Sequence, residues 1–193
     1  MTLGVANINY EHREVLLRSK PTELVQVSAK ATVPVLVVEQ QVLEESIDIM
    51  KWALARHDPR GWLAPETEQQ NRAEARVNTF EQNFKSNLDA YKYGSTASEE
   101  ERMKQTDARV KCEEVLAELN DNLDATGALQ GEQPGFTDVA IFPFIRQYAA
   151  IDPKRWQALP FGSLHAWLDG WLHNPIFLNV MQKHALWVSE SAN

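Results

Sequence analysis

A single cysteine, Cys112, excludes an internal disulfide, a CxxC redox pair and any zinc site built on several cysteines. Basic residues are also in short supply: 19 Lys and Arg stand against 27 Asp and Glu, for a formal charge of -8. Nucleic acid and anionic membrane surfaces both select a positive face, and the basic residues here are scattered, so neither is an expected partner. No apolar run approaches the roughly 20 residues that cross a bilayer. Charges interrupt MTLGVANINYEHREV where a signal peptide has its apolar stretch, so a cytoplasmic location is expected. The histidines, His12, His57, His165, His173 and His184, lack the short helical pairing of metal ligands, and no metal site is expected.

What is present suffices for a sizeable core: 193 residues, 44% hydrophobic, make one large domain or two small ones sharing an interface. His12 to Leu17 mixes branched and polar residues as a half-buried strand does. Pro21 then opens a short helix over Thr22 to Val27. Thr32 to Val38 is an apolar, β-branched run, followed by Gln40-Gln41 as a turn and Val42-Leu43 as a second strand of a hairpin. From Glu44 the period changes. Ile47, Met50 and Leu54 share a face, with Trp52 and Ala53 near it, giving an amphipathic helix that ends near His57-Asp58-Pro59. The order predicted for residues 1–59 is β-α-β-β-α.

Gly61 to Pro65 reads as a linker, and residues 66–193 as an all-helical domain. Glu66 to Tyr93 is a long helix with Ala75, Phe80, Phe84, Leu88 and Tyr91 as its apolar stripe, broken at Gly94 and capped afresh near Ser95 to Ser98. Glu99 to Leu123 follows, with Val110, Val115, Leu116 and Leu119. After a glycine-rich loop, Phe136 to Tyr148 is apolar enough to be buried on most sides. Leu164, Leu168, Trp171 and Leu172 form the next stripe, and Pro175 starts a last helix. Cys112 sits in Lys111-Cys112-Glu113-Glu114, where the acids raise its pKa, and is expected to be inert. Tyr10, beside a strand start, is expected to lie away from any site.

Two phrases carry a family resemblance. Ser28-Ala29-Lys30-Ala31-Thr32-Val33-Pro34-Val35-Leu36-Val37, followed by Leu43-Glu44-Glu45-Ser46-Ile47, is similar to the glutathione S-transferase signature "SPKGTVPVL" and the helix start beyond it. Phe136-Thr137-Asp138-Val139-Ala140-Ile141-Phe142-Pro143-Phe144 resembles the buried helix of that superfamily's C-terminal domain. The resemblance implies an α/β thioredoxin-like N-terminal domain, here incomplete as β-α-β-β-α, followed by an all-α C-terminal domain. It also implies glutathione as co-substrate, a small electrophile or disulfide as second substrate, and a homodimer.

A proline after Val33 removes one backbone donor and, if its bond is cis, turns the Val33 N–H and C=O outward, where a peptide can pair with them as a strand would. A helix start at Glu45-Ser46 offers free N–H groups and the positive end of the dipole to a carboxylate. The resemblance assigns Val33 and Pro34 to the cysteinyl part of glutathione, Glu45 and Ser46 to its γ-glutamyl end, and Lys30 to the glycyl carboxylate. Asp138 it assigns to a structural cap, with Gly135 where the family usually has a serine or threonine, so the reciprocal capping box is incomplete and the helix start weaker by a few tenths of a kcal/mol. No catalytic residue is assigned, because the family's sulfur-activating residue lies on a preceding strand and helix that this sequence lacks. That loss leaves Val35, Leu36 and Val37 beside an unpaired sheet edge, which a strand donated from elsewhere or a partner chain is expected to cover. Arg76, Phe80 and Phe84 are candidate walls for a second-substrate pocket. The alternative is a non-catalytic glutathione-binding or protein-interaction module.

Overall fold

A computed structural model describes residues 1–64, 66–95 and 97–189. Pro65 of the expected linker, Thr96 and the tail from 190 lie outside the described residues. In chain order the elements are α1 (Thr2–Val5), α2 (Thr22–Val27), β1 (Leu36–Val38), β2 (Gln41–Leu43), α3 (Ser46–Leu54), α4 (Thr67–Tyr93), α5 (Glu99–Thr126), α6 (Phe136–Ile151), α7 (Pro153–Ala158), α8 (Gly162–Leu172) and α9 (Pro175–Val180). They fall into two compact units, residues 1–60 with the chain from 175 onward, and residues 61–174.

In the first unit, β1 and β2 form an antiparallel hairpin in which Leu36 faces Leu43 and Val38 faces Gln41. Glu39, at φ 53, makes the turn, one residue earlier than the Gln40-Gln41 expected. α3 buries Ile49, Met50, Ala53 and Leu54 on one face, as its period requires. Full burial of an Ile, Leu or Met side chain contributes about 2 kcal/mol, so this face is the main anchor of the small unit. It packs against α1, which also meets α9. His57 Nδ1 lies 3.3 Å from the Ala6 carbonyl, tying the end of this region back to α1.

The strand expected over His12 to Leu17 does not form. Among the described residues, isolated bridges alone occur there, Glu14 with Leu186 in parallel and Leu16 with Ser19. A strand needs a continuous ladder, and of the apolar side chains that suggested one Val15 is half-buried while Leu16 and Leu17 are 40% and 58% exposed. Likewise the run from Thr32 reaches strand geometry only at Leu36. No strand from elsewhere in the chain is added at the β1 edge among the described residues. Residues around Leu186 join Glu14, while among the described residues β1 pairs with β2 alone.

In the second unit, α4 packs on α5 and α6, and α8 on α5 and α6. The buried stripe of α4 is Ala73, Val77, Phe80, Phe84 and Leu88. Ala75 is exposed, because five residues before Phe80 is not a helical repeat whereas seven is. In α5 the stripe is Ala108, Cys112, Leu116 and Leu123, and Val110 is 40% exposed for the same reason. α5 opens on a full capping box: Ser98 Oγ accepts from the Glu101 N–H, and Glu101 Oε2 accepts from the Ser98 N–H. It closes on Gly127, whose φ of 85 suits glycine and whose N–H donates to the Leu123 carbonyl at 2.8 Å.

α6 starts at Gly135, and Asp138 three residues on accepts from the Gly135 N–H at 3.0 Å. Asp138 is fully buried and holds three further donors: Leu129 N–H at 2.8 Å, Gln130 N–H at 3.1 Å and Trp167 Nε1–H at 2.8 Å. The missing serine or threonine at the helix start has a replacement. Gln130 Oε1 accepts from the Thr137 N–H at 2.9 Å, while Gln130 Nε2 donates to the Trp62 carbonyl at 3.1 Å. The expected weakening of this start is therefore offset by a side chain from outside the helix. α7, absent from the sequence-based order, is a short helix with Asp152 as N-cap and Pro153 at its first position.

Candidate glutathione cradle

The loop from Ser28 to Pro34 is pinned at its base. Ser28 is buried, and its hydroxyl donates to Glu44 Oε1 at 2.5 Å while accepting from the Ala31 N–H at 3.2 Å. That bond ties the loop to the residue before the N-cap of α3, Glu45. Ala31, at φ 47, turns the chain into Thr32 and Val33. The Val33-Pro34 peptide bond is cis. Val33 is 47% exposed, and among the described residues no hydrogen bond uses its N–H or C=O.

Lys30 Nζ donates to Glu45 Oε1 at 2.6 Å, so two of the expected site residues are brought together at the surface. The hydrogen bond that Lys30 donates to Glu45, reinforced by the charges of Glu45, Glu44 and Asp48, raises the Lys30 pKa. Ser46 is the first residue of α3 and is exposed, and no side chain caps this helix. The first N–H groups of the nine-residue α3 are thus open to a ligand. Val33 with its backbone groups unpaired among the described residues, the Lys30–Glu45 ion pair and the start of α3 make up the arrangement, whose chemistry suits a small anionic peptide.

Beside it, within the same unit, is a cavity of about 630 Å³ lined in part by Val33, Pro34, Leu36, Leu24, Tyr10 and Trp187. Tyr10 thus reaches the wall of the cavity that Val33 lines, contrary to expectation, because the chain over residues 10–15 runs along it. Trp187 is the residue sequence reasoning missed. The apolar triplet Leu186-Trp187-Val188 was the available signal.

The remaining candidates belong to the second unit. Cys112 is fully buried, and burial, with the Glu113 charge beside it, pushes its thiol up to about 12. Phe80 and Phe84 are buried and stacked at 4.7 Å, and the exposed Arg76 donates to the Leu129 carbonyl within the same unit. Among the described residues no group of three or more His, Cys, Asp or Glu is placed to hold a metal ion, and no helix is long and apolar enough to cross a membrane.

Comparison with known proteins agrees with this architecture. The family described as "Glutathione S-transferase, N-terminal domain" matches residues 1–61, and "Glutathione S-transferase, C-terminal domain" matches residues 67–170, more than half of the chain. The chain belongs to the glutathione S-transferase family. Its fold is a thioredoxin-like N-terminal domain followed by an all-α C-terminal domain. Among solved structures it is similar to glutathione transferase F7 from Populus trichocarpa, at 16% identity and a TM-score of 0.76 over 93% of this chain and 89% of that one. It is similar to BphK, a bacterial GST solved as a ternary complex, at 19% identity and a TM-score of 0.76 over 93% and 90%. Gtt2 from Saccharomyces cerevisiae, at 18% identity, gives a TM-score of 0.73 over 93% and 92%. At these identities the likeness is one of fold. No curated protein matches the sequence significantly.

Proposed function

We propose that the chain binds glutathione in the cradle from Lys30 to Ser46 and uses it as co-substrate against a small electrophile or disulfide. The observation that carries this reading is the half-exposed Val33, whose N–H and C=O have no hydrogen-bond partner among the described residues, on a loop that the Ser28 to Glu44 hydrogen bond ties to the residue before the N-cap of α3. The cysteinyl backbone pairs with Val33, next to Pro34, as an added strand. The γ-glutamyl carboxylate takes the N–H groups at the start of α3 and the Ser46 hydroxyl, and its ammonium takes Glu45. Lys30 turns from Glu45 to the glycyl carboxylate. The protein works as a homodimer in the cytoplasm.

Titration calorimetry with reduced glutathione tests the cradle. Glu45→Gln and Ser46→Ala each remove about 1 kcal/mol of hydrogen bonding, so each is expected to weaken binding roughly fivefold. Absence of heat at millimolar glutathione would refute the reading. A second reading, binding without turnover, is favoured by the thiol of Cys112, which burial holds protonated and which lies in the other unit. A chromogenic electrophile assay separates the two: glutathione-dependent product supports the enzyme, and binding without product supports the module.

A further inference from the structure

Beyond α9 the chain returns along the first unit, and residues 184–189 lie against residues 12–14. The Trp187 N–H donates to the Glu14 carbonyl at 2.9 Å, and Leu186 forms a parallel bridge with Glu14. The Arg13 guanidinium stands 4.6 Å over the Trp187 ring, the rings of His12 and His184 stack at 4.0 Å, and Ser189 Oγ donates to Glu23 Oε1 at 2.5 Å. These contacts hold the segment to residues 12–14, which line the same cavity as Val33 to Val37, and Trp187 itself lines that cavity.

The attachment is shallow. Leu186 is 50% exposed, Val188 72% exposed and Ala185 exposed too, so three of the four apolar side chains in the segment gain little from docking. The bond from Trp187 to Glu14 belongs to an isolated bridge rather than to a ladder. The attachment consists of one bridge and polar or ring contacts at the surface, including a hydrogen bond between Trp187 and Glu11, and it buries few apolar side chains, so it opens at lower cost than the apolar face of α3. Three residues, Met181 to Lys183, link the segment to α9, and extended they span roughly 10 Å, enough to swing it clear of Glu14.

We propose that residues 184–189 are a releasable strap that screens the cavity beside Val33 and Pro34, so that a ligand enters fully only when the strap leaves Glu14, Arg13 and His12. The strap is a competitor built into the chain. While it is docked, the backbone edge at Glu14 is taken and Trp187 narrows the cavity. For glutathione the proposal rests on the cradle reading above, but the strap itself can be followed with an apolar dye that needs only the cavity.

The test compares the full chain, a chain ending at Gln182 and the full-length variant Trp187→Ala. Each is titrated with 1-anilinonaphthalene-8-sulfonate by fluorescence and with reduced glutathione by calorimetry, with and without a synthetic peptide of residues 183–189. If the strap is open about one tenth of the time, its removal tightens apparent dye and glutathione binding by about tenfold. The added peptide is expected to reverse that gain in the shortened chain. Trp187→Ala is expected to give a smaller gain in the same direction, and it decides the matter if the shortened chain does not fold. Unchanged or weaker dye binding in the folded variants would overturn the strap and make Trp187 a fixed wall. Tighter dye binding with no glutathione heat in any form supports the strap and refutes the glutathione cradle. Glutathione binding to every form, with neither ligand gaining affinity, leaves the cradle standing and refutes the strap.

Discussion

Replacing Asp138 tests how much of the second unit hangs on one buried carboxylate. Its two oxygens accept from four N–H donors: Leu129 and Trp167 at Oδ1, Gln130 and Gly135 at Oδ2. Asp138→Ala leaves all four without an acceptor in a site closed to solvent. At about 1–3 kcal/mol for each buried unsatisfied donor, the gross loss exceeds 4 kcal/mol. Water entering the vacated space recovers part of it. The expected net cost is about 4 kcal/mol. Asp138→Asn keeps the shape, yet in either amide orientation its NH2 faces two N–H donors, and about 3 kcal/mol is expected. For a chain of this size each kcal/mol lowers Tm by roughly 2–4 °C, so the alanine variant should melt about 12 °C below the parent. Urea titration at pH 7 gives the free energies, and amide exchange at Leu129 and Gln130 should accelerate in step with them. A loss under about 1 kcal/mol in both variants would show that the four bonds contribute no more than their hydrated counterparts, and the reasoning would fail.

Three further outcomes follow from the same geometry. Cys112 should resist iodoacetamide at pH 8 in the folded protein and react at once in urea, and fast labelling of the native chain would contradict its burial. Because its folded pKa, about 12, lies above the ordinary thiol value, the unfolded chain loses this proton first, so Cys112 contributes stability that is full below about pH 9 and declines as pH rises towards 12. Cys112→Ala should flatten that alkaline decline in chemical denaturation. Burial by itself raises the Glu113 pKa, but the hydrogen bonds from Arg155, Arg109 and Tyr148 outweigh it and leave it lowered. The stability this carboxylate provides is therefore present above pH 4.5 and lost as pH falls through the folded value. Glu113→Gln is expected to cost about 2 kcal/mol at pH 7, discounted for the half-exposed Arg155, and to flatten the acid limb. An unchanged limb would assign that pH dependence to other groups.

The helices were legible because their period survives in the sequence: Phe80, Phe84 and Leu88 recur at four, and Phe136 to Ile145 is apolar throughout. Ala75 and Val110 were misplaced because counting apolar residues without fixing their phase admits neighbours of the stripe. The His12 to Leu17 strand failed for a different reason. Strand content depends on a partner, and the partner of Glu14 lies at Leu186, at the far end of the sequence. Non-local contact also explains the site. Val33, Glu45 and Ser46 could be marked along the chain, and the capping bond of Asp138 is a three-residue pattern. The Lys30 to Glu45 pair, the Ser28 to Glu44 tie and the Trp167 donor to Asp138 join residues 15, 16 and 29 apart, where no local pattern fixes who meets whom.

Gly135 makes the room that Gln130 fills. A Cβ built there would collide with the side-chain amide of Gln130, which already occupies the place of a capping hydroxyl. A side chain at position 135 therefore requires the flexible Gln130 amide to swing away, which gives up its bonds to the Thr137 N–H and the Trp62 carbonyl. A serine there brings a hydroxyl of its own to the same helix start, so positions 130 and 135 supply alternative caps and the effect of changing one depends on the other.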